Sequence, residues 1–83
     1  MGDEETVKIP PRDELLDLRG VACPLSWAKA RVALDELSRG DSLTLILDED
    51  RALRDIPRAA EAQGYSVESP VQVEGAWRLR VTV

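Results

Sequence analysis

The amino-acid sequence predicts a two-layer α/β sandwich in which both helices cover one face of a four-stranded mixed sheet. Apolar residues alternate with polar ones in some segments and recur every three to four residues in others, which gives the order β-α-β-α-β-β. Two βα crossovers followed by a hairpin place both helices on the same side of a sheet. The chain has 83 residues, which is enough for one domain.

The first strand and the first helix flank the only cysteine of the chain. Residues 14–19 alternate at Leu16 and Leu18, which predicts a short strand. The segment from Pro24 to Ser38 predicts an amphipathic helix, and Gly40 suits its C-terminal end. The expected core face of this helix comprises Trp27, Ala30, Ala33, Leu34 and Leu37.

The second strand and the second helix follow directly. Residues 42–47 form a nearly continuous apolar run, which predicts a strand internal to its sheet. Because proline fits the first turn of a regular helix, Pro57 predicts a helix that is capped by Asp55 and preceded by a loose turn at residues 51–55. Its expected core face comprises Leu53, Ile56, Ala59, Ala60 and Gln63.

The C-terminal segment predicts a β-hairpin. Residues 65–73 alternate at Tyr65, Val67, Val71 and Val73 as one strand, in which Pro70 marks an edge or a bulge. Glu74-Gly75 predicts the turn, and residues 77–83 alternate between an apolar and a polar face.

Residues 1–12 differ from the rest of the chain because they are polar and end at two prolines and an arginine. We interpret them as a flexible N-terminal arm that precedes a domain at residues 13–83. We expect no membrane span, since no apolar run approaches about 18 residues, and no secretory signal, since no apolar stretch follows a basic cluster at the N-terminus. A single unpaired cysteine fits a reducing cytoplasm.

Composition argues against several classes of function. Eleven basic and sixteen acidic residues give a net charge of -5, which disfavours nucleic-acid binding through phosphate contacts. The chain has no histidine and one cysteine, so it lacks a Ser-His or Cys-His dyad, a cysteine pair and the usual zinc ligands. We therefore expect no metal and no other cofactor, and chemistry that depends on Cys23, on carboxylates or on backbone groups.

Cys23 stands at the predicted start of the first helix, directly before Pro24. If Pro24 is the first helical residue, Cys23 is the N-cap, and its sulfur accepts hydrogen bonds from the N–H groups of Leu25 and Ser26. These donors and the helix dipole favour the thiolate, which is the nucleophilic form of cysteine. We also expect Gly20 to permit a close approach to the cysteine, and Leu25 to form part of a docking rim.

Four segments of the chain form a recognisable pattern: L-D-L-R-G-V-A-C-P-L-S at 16–26, R-G-D-S-L-T-L-I-L-D at 39–48, R-D-I-P at 54–57 and Q-G-Y-S-V at 63–67. With these segments the chain resembles the TusA/SirA-like family of small sulfur-carrier proteins over about residues 14–83. It implies that the cysteine of the G-x-x-C-P motif, Cys23, accepts sulfur from a desulfurase or rhodanese-type donor. The cysteine then holds this sulfur as a persulfide and passes it to an acceptor protein.

One position departs from the family pattern, which is usually C-P-x-P. Ser26 occupies the place of the second proline. A serine there offers a backbone N–H and a hydroxyl to the Cys23 sulfur, which proline cannot do. The departure leaves the pathway open among tRNA thiolation, molybdenum-cofactor assembly and sulfur oxidation.

The acidic segment Asp48-Glu49-Asp50 follows the second strand. Because parallel strands end at the same edge of a sheet, this segment is expected near Cys23. Asp48 and Asp50, with Arg51 and Arg54 on the next helix, are candidates for partner docking. The alternative is that the acidic residues cap a helix and the arginines pair with neighbouring carboxylates.

Three hypotheses remain open from the sequence. The first is the persulfide carrier, which we expect to be a monomer because a relay must expose its thiol. The second is a non-catalytic regulatory or adaptor module of the same fold. The third is a nucleic-acid-binding domain, which the negative charge disfavours.

Overall fold

The computed structural model describes residues 11–83, so most of the predicted arm lies outside the described residues. The elements follow the predicted order, except that the third predicted strand is divided in two. They are β1 (Asp13–Asp17), α1 (Leu25–Asp35), β2 (Ser42–Leu47), α2 (Asp50–Ala62), β3 (Ser66–Val67), β4 (Val71–Val73) and β5 (Ala76–Thr82).

The sheet is mixed and has five strands, where the sequence predicted four. The strand order is β1-β2-β5-β3, and β4 also pairs with β5. The β1 and β2 strands are parallel, and β5 is antiparallel to β2, β3 and β4. Both helices pack on one face of this sheet, as the crossovers predicted.

A bulge divides the third predicted strand. Val67 pairs with Val81, but Val71 pairs with Arg78, so the outer strand contains one residue more than β5 over the same length. The extra residue lies beside Pro70, which has no N–H for the ladder. As a result Val67 faces the core while Val71 is exposed, although the sequence placed both on one face.

The core lies between the sheet and the two helices. Its central part is the β2 strand, whose leucines are buried at every second position. Fully burying one leucine contributes about 1.5–3 kcal/mol to the free energy of unfolding. The buried apolar residues are Leu18, Ala30, Leu34, Leu43, Leu45, Leu47, Ala52, Ile56, Ala60, Leu79 and Val81.

The second helix is longer than the sequence predicted. It begins at Asp50 rather than after a cap at Asp55, and Pro57 lies inside it. An interior proline costs about 3 kcal/mol because it removes one hydrogen bond and crowds the preceding turn. Burial of Ala52 and Ile56 against the sheet offsets this cost and extends the helix through the proline. Within residues 11–83, neither helix has the length and apolar character needed to cross a membrane.

The Asp41 side chain links the turn between α1 and β2 to the start of β1 through hydrogen bonds. Its side chain is buried, with 6% of the residue exposed. One carboxylate oxygen accepts the N–H of Ser38 at 2.8 Å and the other accepts the N–H of Arg12 at 2.9 Å. These backbone donors stabilise the ionised form and hold the pKa of Asp41 below its ordinary value.

Ser26 lies on the core face of α1, four residues before Ala30 and eight before Leu34. The residue is fully buried, and its Oγ has no hydrogen-bond partner in the described part of the chain. A buried hydroxyl without a partner lowers stability because it has lost its bonds to water. This position is therefore a local weakness of the core.

We predict that Asp41→Asn reduces the amount by which the free energy of unfolding falls as the pH is lowered. The pKa of Asp41 is lower in the folded state than the unfolded value of about 3.9. The ionised Asp41 side chain therefore contributes fully to the free energy of unfolding above the unfolded pKa, and this contribution is lost as the pH falls through the folded pKa. Urea unfolding at pH 7, 5, 4 and 3 should show a smaller loss of stability for Asp41→Asn than for the wild type. An unchanged slope contradicts this prediction, and the exposed Asp35→Asn serves as the control.

We also predict that Ser26→Ala stabilises the protein by about 1 kcal/mol, because it removes a buried hydroxyl without a partner. For a domain of this size, Tm should rise by about 4–8 °C. Urea and thermal unfolding measure the change, and the exposed Ser38→Ala should stay within about 0.5 kcal/mol of the wild type. A decrease in stability would show that the hydroxyl is hydrogen-bonded in solution.

Candidate functional site

The loop that carries Cys23 leaves the end of β1 through a tight turn. Leu18 still bonds to β2, donating its N–H to the Ile46 carbonyl at 2.9 Å, and Val21 donates back to the Leu18 carbonyl at 3.1 Å. Gly20 occupies the third position of this turn with a φ of 80°. A positive φ there is typical of a type II turn and favours glycine.

The expectation that Gly20 allows a close approach is wrong. A Cβ atom added at this residue would meet no heavy atom within 4 Å. Glycine is required by the backbone conformation, which other residues adopt with strain, and not by a lack of space.

Two carboxylates from the segment after β2 hold this loop. Asp48 accepts the N–H of Gly20 at 3.0 Å, and Glu49 accepts the N–H of Cys23 at 2.9 Å. The acidic segment therefore lies at the edge of the sheet that carries the cysteine, where parallel strand ends were expected to bring it. Each bond joins parts of the chain more than 25 residues apart.

Cys23 is a free, half-buried cysteine one residue before the N-cap of α1. The prediction that Cys23 is itself the N-cap is wrong. Pro24 holds that position, because its carbonyl accepts the first intrahelical hydrogen bond, from Ala28 at 3.1 Å. No side chain caps this helix.

The expected hydrogen bond from the Ser26 N–H to the Cys23 sulfur is also absent. The Ser26 N–H donates to the Ala22 carbonyl at 3.1 Å, and the Ser26 side chain is buried in the core. Leu25 is 56% exposed, as expected for a residue beside the cysteine and off the core face. The serine in place of the second proline thus directs its N–H to Ala22 and its hydroxyl into the core, and neither group bonds to the sulfur.

Basic residues near the site form local ion pairs, and Arg51 and Arg54 share one carboxylate. Arg19 donates to both carboxylate oxygens of Asp17, at distances from 2.7 to 3.1 Å. These side-chain hydrogen bonds lower the pKa of Asp17 to about 2. On α2, Arg51 and Arg54 lie 3.6 and 3.7 Å from Asp55. The arginines therefore pair with these carboxylates, while Asp48 and Asp50 keep their negative charge exposed at the cysteine edge.

Glu49 was not among the predicted site residues, although the acidic residues on both sides of it were. Its hydrogen bond joins it to a residue 26 positions earlier, and no local pattern in the sequence indicates such a contact. Ser26 was not predicted to lie on the core face of the first helix, although its spacing of four and eight residues to Ala30 and Leu34 places it there.

Cys23 lies at the surface of the domain and not in an enclosed cavity. Cys23 is partly accessible, and its main chain is held from another part of the fold. A groove on the opposite, helix-free face is lined in part by Leu15, Ile46 and Trp77 and does not include the cysteine. This groove and Cys23 are therefore separate surfaces of the domain.

Sequence comparisons find related proteins over most of the chain. The sequence profile of the family described as Sulfurtransferase TusA matches residues 14–83. A candidate sulfur carrier protein of Archaeoglobus fulgidus is 36% identical over 70 residues, covering 83% of this chain and 80% of that protein. Another, of Methanocaldococcus jannaschii, is 38% identical over 64 residues, covering 77% of this chain and 85% of that protein.

The fold has a counterpart among solved structures. The crystal structure of a SirA-like protein from Desulfitobacterium hafniense matches this chain with a TM-score of 0.76 and 26% sequence identity. The match covers 84% of this chain and 96% of the other. With the family profile spanning all five strands and both helices, apart from the first residue of β1, the chain belongs to the TusA sulfurtransferase family.

Proposed function

We propose that this protein carries sulfane sulfur as a persulfide on Cys23. The Cys23 thiolate attacks the outer sulfur of a donor persulfide, of the cysteine desulfurase or rhodanese type. A new S–S bond forms at Cys23 while the donor S–S bond breaks and the donor thiolate leaves. An acceptor nucleophile then attacks the outer sulfur, and the Cys23 thiolate is released. Each step exchanges one bond to sulfur for another, so no external oxidant or reductant is needed.

The observation that carries this proposal is the position of the only thiol in the chain. Cys23 is half-buried at the edge of the sheet, and its backbone N–H is held by Glu49. It belongs to a G-x-x-C-P motif inside the matched family region. A thiol that is accessible but fixed in place can meet a donor and an acceptor in turn.

The acidic segment is the proposed docking contact for these partners. Asp48 and Asp50 are exposed beside the cysteine loop, and Arg51 and Arg54 continue the charged surface on α2. Because both arginines face Asp55, we propose that a partner presents a basic surface here. Complementary charge of this kind speeds encounter and sets orientation.

We further propose that the carrier acts as a monomer in the cytoplasm. A monomer leaves the edge around Cys23 open to two different partners. The reducing cytoplasm keeps a lone cysteine free between transfers.

We predict that Cys23→Ser abolishes sulfur loading and leaves the fold intact. Serine is close to cysteine in size, and it retains the N–H that donates to Glu49. Intact-mass spectrometry after incubation with a cysteine desulfurase and cysteine should show one added sulfur on the wild type and none on the variant. Thermal unfolding provides the control for folding. Equal loading of the two proteins would overturn the persulfide proposal.

We predict that the double change Asp48→Asn and Asp50→Asn weakens partner binding by about threefold to tenfold, the range expected for two exposed charges. Asparagine keeps an oxygen that can accept the Gly20 N–H, so the free energy of unfolding should change by less than about 1 kcal/mol. Titration calorimetry with the donor at low and high salt measures the effect.

The matched control for this docking prediction removes two charges far from the cysteine. Glu36 and Glu61 lie at the C-terminal ends of the two helices. The double change Glu36→Gln and Glu61→Gln should leave the affinity for the donor unchanged. If both double variants bind the donor equally well, the acidic segment is not a docking surface. A large loss of stability in the Asp48 and Asp50 variant would show that the segment is structural.

A further inference from the structure

Glu49 occupies the N-cap position of α2, yet its side chain does not cap that helix. Its backbone has the extended conformation of an N-cap residue, with a φ of -117° and a ψ of 128°. Its carbonyl accepts the N–H of Leu53 at 3.0 Å, which is the first bond of the helix. Its carboxylate makes no capping hydrogen bond and instead accepts the Cys23 N–H at 2.9 Å.

A capping hydrogen bond from the Glu49 side chain would stabilise α2, whereas the bond to the Cys23 N–H does not. An N-cap side chain normally accepts an N–H from the first turn of its own helix, and serine, asparagine and aspartate do this best. The longer glutamate side chain reaches across the edge of the sheet to a residue 26 positions earlier. Glutamate at this position therefore supports the cysteine loop at the expense of its own helix.

The loop around Cys23 depends on contacts of this kind. Residues 18–24 belong to no helix or strand, so backbone ladders do not fix the cysteine. On one side of Cys23 is Ala22, which is exposed, and on the other is Pro24, which has no N–H. The carbonyls of Ala22 and Pro24 accept N–H groups of α1, whereas the bond from the Cys23 N–H to Glu49 joins the main chain of Cys23 itself to the segment after β2.

We propose that Glu49 is a positioning residue for sulfur transfer at Cys23. Its carboxylate fixes the orientation of the Cys23 main chain and thereby the direction in which the sulfur faces an incoming partner. Displacement at sulfur requires the entering and leaving atoms to be in line, and small errors of orientation slow such reactions strongly. This inference rests on the proposed persulfide function and adds to it a residue that does not touch the transferred sulfur.

Glu49 could alternatively stabilise the fold without affecting sulfur transfer. The Glu49→Ser variant distinguishes this structural role from the positioning role. Serine is a strong N-cap residue, so it should maintain or raise Tm. Its side chain is too short to reach the Cys23 N–H. We expect the loading rate at saturating donor to fall about tenfold, while the donor concentration at half-maximal rate stays within about twofold. A purely structural residue would show a loading rate that changes only together with Tm.

The conservative variant Glu49→Gln tests whether the acceptor oxygen is what matters. The glutamine amide keeps an oxygen at the same distance along the side chain, so loading should stay within about threefold of the wild type. Glu61 lies on the same helix, at its other end, and supplies the matched control. Glu61→Ser and Glu61→Gln should both load at the wild-type rate.

Amide hydrogen exchange followed by NMR reports the contact without any sulfur donor. In Glu49→Ser the Cys23 N–H should exchange at least about tenfold faster than in the wild type, because it loses its acceptor. The Gly20 N–H, which Asp48 holds, is the internal reference and should not change. Unchanged exchange at Cys23 would overturn the proposed contact.

The failure of this inference is distinguishable from the failure of the proposed function. A wild-type protein that accepts no sulfur from any donor overturns the persulfide function itself. A wild type that loads normally, with a Glu49→Ser variant that loads at the same saturating rate, overturns the positioning role alone. Reduced loading of Glu49→Ser with undiminished Tm, together with recovery in Glu49→Gln, supports the inference.

Discussion

The parallel pairing of β1 with β2 is the contact on which the rest of the molecule depends. The β2 strand lies between β1 and β5, and its leucines form the centre of the core. Its register places Asp17 beside Ile46, and the ladder continues to the N–H of Leu18. Since one residue of a strand spans about 3.3 Å and alternate residues face opposite sides, a slip by one position would expose the leucines. The same slip would move the acidic segment away from the cysteine loop.

The cysteine edge shows how a small domain can hold a surface loop in place without enclosing it. Two carboxylates accept backbone N–H groups of the loop, one at Gly20 and one at Cys23. The bonds are charge-assisted and therefore stronger than bonds between neutral groups. They hold the main chain of the loop while Cys23 itself stays half-exposed. Both helices that begin at this edge lack a side-chain cap, so the site is built with some loss of helix stability.

Much of the fold could be predicted because it follows from local chemistry. Alternating leucines predict β1, a nearly continuous apolar run predicts β2, and the helical spacing of apolar residues predicts both helices. Glu74-Gly75 forms the predicted hairpin turn with positive φ at both residues. The boundaries were harder to predict where tertiary packing overrides local preference. Helix α2 continues through Pro57 because Ile56 and its neighbours are buried on the sheet, and the bulge beside Pro70 appears only when the pairing with β5 is known.

The order of the elements, their apolar faces and the edge of the sheet that carries the single thiol could all be predicted from the amino-acid sequence. These properties depend on residue type and on spacing along the chain. The tertiary structure decided which atoms meet at that edge. It assigned the N-cap to Pro24 rather than Cys23, turned the Ser26 hydroxyl into the core and brought Glu49 to the Cys23 N–H. Hydrogen bonds between residues far apart in the chain depend on the path of the backbone in three dimensions, and no local pattern encodes that path.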